Sequence, residues 1–128
     1  MKHYDPETAP DPSDWLSLDE HQRLQLTEAH HRATRVKLPS IKAHTAIHLI
    51  VENQIAMGLE PVVRAMSRLK SEGLPRHEAI HAIGSVAAEH FFEVLKSTDQ
   101  DLANTAQARY DAAVERLTAK SWREEYGS

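Results

Sequence analysis

Two segments of the chain each carry a pair of histidines four residues apart within an apolar helical pattern. The first pair is His44 and His48, and the second pair is His77 and His81. Four residues span about one turn of an α-helix, so both rings of a pair project to nearly the same side. Imidazoles inside an apolar stripe cost free energy unless their nitrogens find partners. This feature predicts two helices that meet at a common polar point.

The apolar stripes that surround the histidines follow helical spacing. The stripe of the first segment consists of Ile41, Ile47, Val51 and Ile55. His44 and His48 fall in its middle, and Glu52 lies on its flank. The stripe of the second segment consists of Ile80, Ile83, Ala87, Phe91, Val94 and Leu95. The second histidine pair borders that stripe, next to a polar strip of Glu78, Ser85 and Glu89.

The composition limits both the fold and the partners. A chain of 128 residues without internal repeats indicates one domain. Its net charge of −4 gives no electrostatic reason to bind nucleic acid or an anionic membrane. A helix-turn-helix outline around Gly73 has too little basic content to change this interpretation. Because the chain has no cysteine, a metal would have to be held by imidazole and carboxylate groups.

The chain ends and the hydropathy indicate where the protein resides. No apolar run reaches the ~20 residues that a membrane span needs. The N-terminus lacks the apolar segment of a secretory signal, so we expect a cytoplasmic, bacterial-type protein. Residues 1–14 contain three prolines among acidic and small polar residues, which predicts an extended or disordered arm. Residues 15–128 are expected to form a single helical domain, with the arm packed near Trp15.

Cap signals mark the first two predicted helices. The capping box of Ser17 and Glu20 predicts a first helix that ends near Arg32. Ser40 is expected to cap the second helix, which carries the first histidine pair. Gly58 is expected to end that helix.

Three further helices follow in the same way. Pro61 suits the first turn of a third helix, and Gly73 is expected to end it. The fourth helix carries the second histidine pair and should end near Lys96. Ser97 or Thr98 is expected to cap a fifth helix. Because no alternating strand pattern occurs, the sequence predicts an all-α bundle of four to five helices, in which the second and fourth are parallel neighbours.

The two histidine helices would together offer a metal site. The predicted ligands are His44, His48, His77 and His81. The predicted outer residues or alternative ligands are Glu52, Glu78 and Glu89. These donors suit zinc, iron, nickel, copper or manganese, and bundles commonly build metal sites from facing helices. The alternative is a non-catalytic interaction or structural protein, such as a homodimer, in which the same histidines form a buried hydrogen-bond network.

The segment from His77 to His81 also reads HExxH, and Gly84 extends the match by one position. In zinc peptidases this motif places two ligands and a general base on one helix, so Glu78 is a candidate base. Position 87 is Ala where the longer signature needs histidine. The pattern also offers no strand to bind an extended peptide. A peptidase is therefore a less favoured alternative.

A carboxylate-bridged site for two metal ions is another alternative. Glu78 and His81 form one copy of the ExxH pair that such sites use. The other helix offers HxxxHxxxE, so the second copy is missing and only a variant two-metal centre stays open.

The two histidine pairs, the Glu52 and Gln54 region and the ending from Glu89 to Phe92 resemble an uncharacterised bacterial family, domain of unknown function 1841. The resemblance covers roughly residues 40–95. Members carry HxxxH on two successive segments with an acidic residue inside the second. In that family the first glutamate of the pattern falls at the position of Asn53. The resemblance supports a cluster of the four histidines and names no reaction. An open coordination position at the predicted metal site would support Lewis-acid or hydrolytic chemistry.

Overall fold

A computed structural model describes residues 3–34 and 41–126, except for the side chains of residues 30–34, 41–43 and 126. The described residues form seven helices: α1 (Pro12–Ser17), α2 (Glu20–Thr34), α3 (Ile41–Ala56), α4 (Glu60–Ser71), α5 (Arg76–Lys96), α6 (Gln100–Arg116) and α7 (Ala119–Tyr126). Within these ranges there is no strand, which confirms the predicted all-α class. Among the described helices, none combines the length and apolar character that crossing a bilayer requires.

The start of α2 differs from the predicted capping box. Ser17 is the last residue of α1, so the prediction that it caps α2 is wrong. A box two residues further along replaces it. The Asp19 carboxylate accepts from the Gln22 N–H at 2.8 Å, and the Gln22 side-chain oxygen accepts from the Asp19 N–H at 2.9 Å. Ser40, the predicted cap of α3, lies outside the described residues.

Two glycines end helices as predicted. Gly58 follows α3 with φ 72°, and Gly73 follows α4 with φ 100°. A residue with a side chain is strained in this left-handed region of φ, whereas glycine is not. Glycine therefore allows the chain to leave the helix at these positions. Asp99 caps α6 through its side chain, so the prediction of Ser97 or Thr98 is wrong.

The hydrophobic core lies among α3, α4, α5 and α6. Its fully buried members include Val51, Val62, Leu69, Ile80, Ile83 and Val114. The helices α3 and α5 approach closely where Gly84 lies under Ile47, because a Cβ at position 84 would collide with that side chain. This close approach brings the two histidine helices together.

The helices α3 and α5 are neighbours, as predicted, but the prediction that they run parallel is wrong. Arg76 at the start of α5 contacts Glu52 near the end of α3. His81, further along α5, packs against His44 near the start of α3. Contacts that pair the beginning of one helix with the end of the other show that the helices are antiparallel.

The segment before α2 packs over one end of the α3–α5 pair. Tyr4 and Pro6 are buried, and Trp15 of α1 is fully buried. The Trp15 indole N–H donates to the Asn53 side-chain oxygen at 2.9 Å, and the Trp15 and Tyr4 ring centres lie 5.7 Å apart. These contacts fix residues that precede α1 directly above the histidines.

Candidate metal centre

Three histidine rings converge between α3 and the first turns of α5. His48 Nε2 lies 2.9 Å from His81 Nε2 and 3.1 Å from His77 Nε2. The rings of His77 and His81 have centres 4.6 Å apart. Three ring nitrogens, one from each of these histidines, all lie within 4.8 Å of one another. We call these three residues the histidine cluster, and its nitrogens are close enough to hold a metal ion.

The cluster combines burial with access. His48 is fully buried, whereas His77 and His81 are half-buried. Nitrogen ligands about 2.0–2.1 Å from a tetrahedral ion lie roughly 3.3 Å from one another, slightly further apart than the two Nε2 contacts of His48. The half-buried rings would therefore have to move slightly away from His48 to admit an ion.

The second ring nitrogen of His48 has a partner from the start of the chain. The Tyr4 hydroxyl donates to Glu52 Oε2 at 2.6 Å and lies 3.0 Å from His48 Nδ1. A hydroxyl has one hydrogen, which Tyr4 donates to Glu52, so its oxygen accepts a hydrogen bond from the Nδ1–H group of His48. That tautomer leaves the lone pair of His48 on Nε2, facing the other two rings.

Glu52 is held by a buried ion pair. Arg76 donates to both Glu52 oxygens, at 2.7 and 2.8 Å, and the two side chains are only 3% and 1% exposed. Such a forked pair fixes the carboxylate in one orientation. The two charges compensate each other, so the layer behind the cluster is close to neutral.

Burial and charge act together on the ionisable groups behind the cluster. Burial, reinforced by the Glu52 charge, raises the pKa of the Tyr4 hydroxyl far above its usual value. The Tyr4 hydroxyl therefore stays protonated and can donate its hydrogen bond to Glu52. Burial would lower the pKa of Arg76, but hydrogen bonds to Glu52 and its charge outweigh that effect and raise it. Arg76 therefore stays charged and Tyr4 stays neutral.

The N-terminus of α5 receives its cap from the same segment. Pro75, the residue before α5, has no side-chain acceptor for the first N–H groups of the helix. Glu7 replaces it, because its carboxylate accepts from the backbone N–H of His77 at 2.7 Å. A carboxylate at this end of a helix also interacts favourably with the helix dipole. The contact fixes the helical turn that carries two members of the cluster.

The fourth predicted ligand lies beside the cluster. His44 is half-buried, and its ring centre lies 5.3 Å from that of His81 with the rings edge to face. It is not one of the three residues whose nitrogens converge. Its role as a ligand stays a prediction.

The three predicted carboxylates lie in different places. Glu52 is buried behind His48, where a residue that orients a ligand belongs. Glu78 and Glu89 are exposed and are not members of the histidine cluster. Glu89 follows His81 by eight positions, about 12 Å along the helix at 1.5 Å per residue.

Sequence reasoning missed Tyr4, Glu7 and Arg76. Tyr4 and Glu7 belong to a proline-rich segment without periodicity, so no local pattern indicates what they contact. One signal could have pointed to Arg76. A glutamate at position 52 beside an apolar stripe needs a cationic partner when it is buried, and Arg76 directly precedes the second histidine pair.

Comparisons of the chain with models of protein families, with curated proteins and with solved structures find no match. The resemblance to the uncharacterised family therefore stays a prediction. The function has to be inferred from the chemistry of the histidine cluster and its surroundings.

Proposed function

We propose that the protein binds one divalent transition-metal ion through the Nε2 atoms of His48, His77 and His81. The observation that supports this proposal is the convergence of the three nitrogens, with the Nδ1 atom of His48 turned away toward Tyr4. Three neutral imidazoles suit zinc, and they also suit iron, nickel, copper or manganese. Three protein ligands with one open position are typical of catalytic zinc sites.

The count of lone pairs and protons favours an ion over hydrogen bonds alone. A neutral imidazole has one lone pair, which makes one well-directed hydrogen bond. His48 Nε2 nevertheless has two ring nitrogens within 3.1 Å. A metal ion at the centre accepts one lone pair from each ring. One ion would therefore bind all three nitrogens at once.

The charge around the cluster indicates what the open position would take. Neutral imidazoles add no charge, and Arg76 already neutralises Glu52. A bound divalent ion would keep most of its positive charge, which favours an anionic or strongly polarised fourth ligand. At that position the ion would supply Lewis-acid or hydrolytic chemistry.

The test is a zinc titration of protein purified without a histidine tag and stripped with a chelator. We expect one zinc ion per chain, and we expect His48→Ala and His81→Ala each to lower the affinity at least 100-fold. His90→Ala is the matched control, because His90 also lies on α5 but contacts the Val86 carbonyl and the Tyr110 ring. The proposal would be contradicted if the wild-type protein bound no zinc. It would also be contradicted if His90→Ala lost zinc binding.

A non-catalytic hydrogen-bond network is the second candidate. The Nε2 contacts of His48 have hydrogen-bond lengths, and the Tyr4, Glu52 and Arg76 contacts continue the network. This function requires a fold that is equally stable with and without metal. Equal thermal unfolding midpoints with excess zinc and with chelator, together with no zinc uptake, would favour it.

The zinc peptidase stays the weaker candidate. Its proposed base, Glu78, is exposed and lies outside the histidine cluster. Zinc-loaded protein incubated with an unfolded protein substrate tests it directly. We expect no cleavage, and cleavage that disappears in Glu78→Gln would reverse this order.

A further inference from the structure

The segment of residues 3–11, which we call the N-terminal strap, contacts the histidine cluster from outside the two histidine helices. We infer that this strap positions the metal site and that Tyr4 is its positioning residue. The inference rests on the proposed metal binding and extends it to regulation by the start of the chain. The inference is based on three contacts, which we call anchors, between strap residues and the residues in or next to the histidine cluster.

Each anchor joins the strap to a cluster residue or to the layer behind the cluster. The Tyr4 hydroxyl contacts His48 and Glu52 on α3. The Pro6 carbonyl accepts from Arg76 at 2.7 Å, and the Glu7 carboxylate accepts from the His77 backbone N–H at 2.7 Å. The strap therefore bridges α3 and α5 at the point where their histidines meet.

Tyr4 controls which nitrogen of His48 carries the proton. Its oxygen accepts from Nδ1–H because its own proton is donated to Glu52. The ring is only 5% exposed and packs near Trp15, so the hydroxyl is held in place. Without the hydroxyl, His48 loses the partner that favours the tautomer with a lone pair on Nε2.

Residues that accept the outer N–H of a ligating histidine typically account for 10- to 100-fold in metal affinity. The effect must be reciprocal, because two linked binding equilibria change each other by the same factor. Metal binding should therefore hold the strap more tightly against α3 and α5. A strap that leaves the site should in turn weaken metal binding.

The main experiment compares two tyrosine variants by zinc competition with a chromophoric chelator. Tyr4→Phe removes the hydroxyl and keeps the packed ring, and we expect it to lower zinc affinity about 10- to 100-fold. Tyr110→Phe is the matched control. Tyr110 is also buried, but its hydroxyl donates to Gln54 at 2.7 Å, so its loss should change zinc affinity less than about two-fold.

A second readout reports on positioning rather than on folding. Long-range proton–nitrogen NMR of the metal-free protein should show His48 with its proton on Nδ1 in the wild type. The same measurement on Tyr4→Phe should show a mixture of both tautomers. A role of Tyr4 in packing alone would leave the His48 tautomer unchanged.

Two further measurements cover the strap as a whole. Glu7→Ala alters an exposed side chain and spares the core, and it should lower zinc affinity by up to about five-fold. Hydrogen exchange of residues 3–11 should slow when zinc is added to the wild type. It should not slow in His81→Ala, which lacks a ligand.

The outcomes separate the two proposals. Zinc binding by the wild type, with the same affinity in Tyr4→Phe and Tyr110→Phe and one unchanged His48 tautomer, would overturn the strap inference alone. A wild-type protein that binds no zinc would overturn both proposals. A selective loss in Tyr4→Phe with a mixed tautomer would support both.

Discussion

The contact between α3 and α5 contains two regions with opposite chemistry. In one region Val51, Ile80 and Ile83 are fully buried among apolar neighbours. In the other region His48 and Glu52 are equally buried but among polar groups. Apolar side chains gain free energy from burial itself, whereas buried polar groups lose it unless every partner is present.

The difference shows where stability and function reside. The apolar region contributes the hydrophobic free energy that stabilises the packing of the two helices. The polar region adds a complete set of partners around a point where three ring nitrogens meet, a costly arrangement in a helix interface. We therefore expect substitutions in the apolar region to change stability in proportion to the volume removed. Substitutions in the polar region should lower stability because each one leaves a buried polar or charged group without its partner.

The largest effect on stability should follow from breaking the buried ion pair. Glu52→Ala leaves the Arg76 charge buried without its main partner, which should destabilise the fold by about 3–5 kcal/mol. Urea unfolding measures the loss. The comparison from the apolar region is Ile83→Val, expected to cost about 0.5–1.5 kcal/mol. A smaller loss in Glu52→Ala than in Ile83→Val would contradict the difference between the regions.

Metal should stabilise the polar region by mass action. Zinc at 100 times its dissociation constant should add about 2.7 kcal/mol to the free energy of unfolding. A chelator should remove the gain, and His81→Ala should show none. Differential scanning calorimetry with and without zinc gives the result. A gain of equal size in His81→Ala would place the ion elsewhere.

The close approach of the two helices should depend on Gly84. Gly84→Ala adds a methyl group against Ile47, and overpacking of this kind costs about 1–3 kcal/mol. Ile47→Ala in the same chain should recover part of the loss, because the two changes share one contact. Urea unfolding of the single and double variants provides the check. Strictly additive losses would show that the contact is unimportant.

The smallest effect should come from the ring beside the cluster. His44→Ala removes an edge-to-face neighbour of His81 and no converging nitrogen, so zinc affinity should fall less than about ten-fold. The same zinc titration on His81→Ala gives the reference, for which we expect zinc affinity to fall at least 100-fold. Equal losses in the two variants would make His44 a ligand.

Local signals made much of the fold predictable from sequence. Helical periodicity located α3 and α5, and Gly58 and Gly73 ended helices because their backbones have positive φ. Caps were less certain, since two overlapping patterns compete before α2. The structure uses Asp19 with Gln22 rather than Ser17 with Glu20. Nothing in either local pattern decides between them.

The site was predictable only in part, because its remaining contacts join distant positions. The spacing of the histidines shows that each pair shares a helix face. It cannot show that α3 and α5 run antiparallel, which depends on the path that the chain takes through α4. It also cannot show that Tyr4 reaches His48 across 44 positions. A proline-rich segment without periodicity gives no indication of which residues of α3 and α5 it contacts, so the roles of Tyr4 and Glu7 required the structure.

The most direct test of the central claim is the anomalous scattering of zinc in a crystal of the 128-residue chain. We predict one strong peak between α3 and α5, about 2.0–2.1 Å from the Nε2 atoms of His48, His77 and His81. A crystal grown with zinc that shows no peak there, with the three rings still in mutual contact, would contradict the claim.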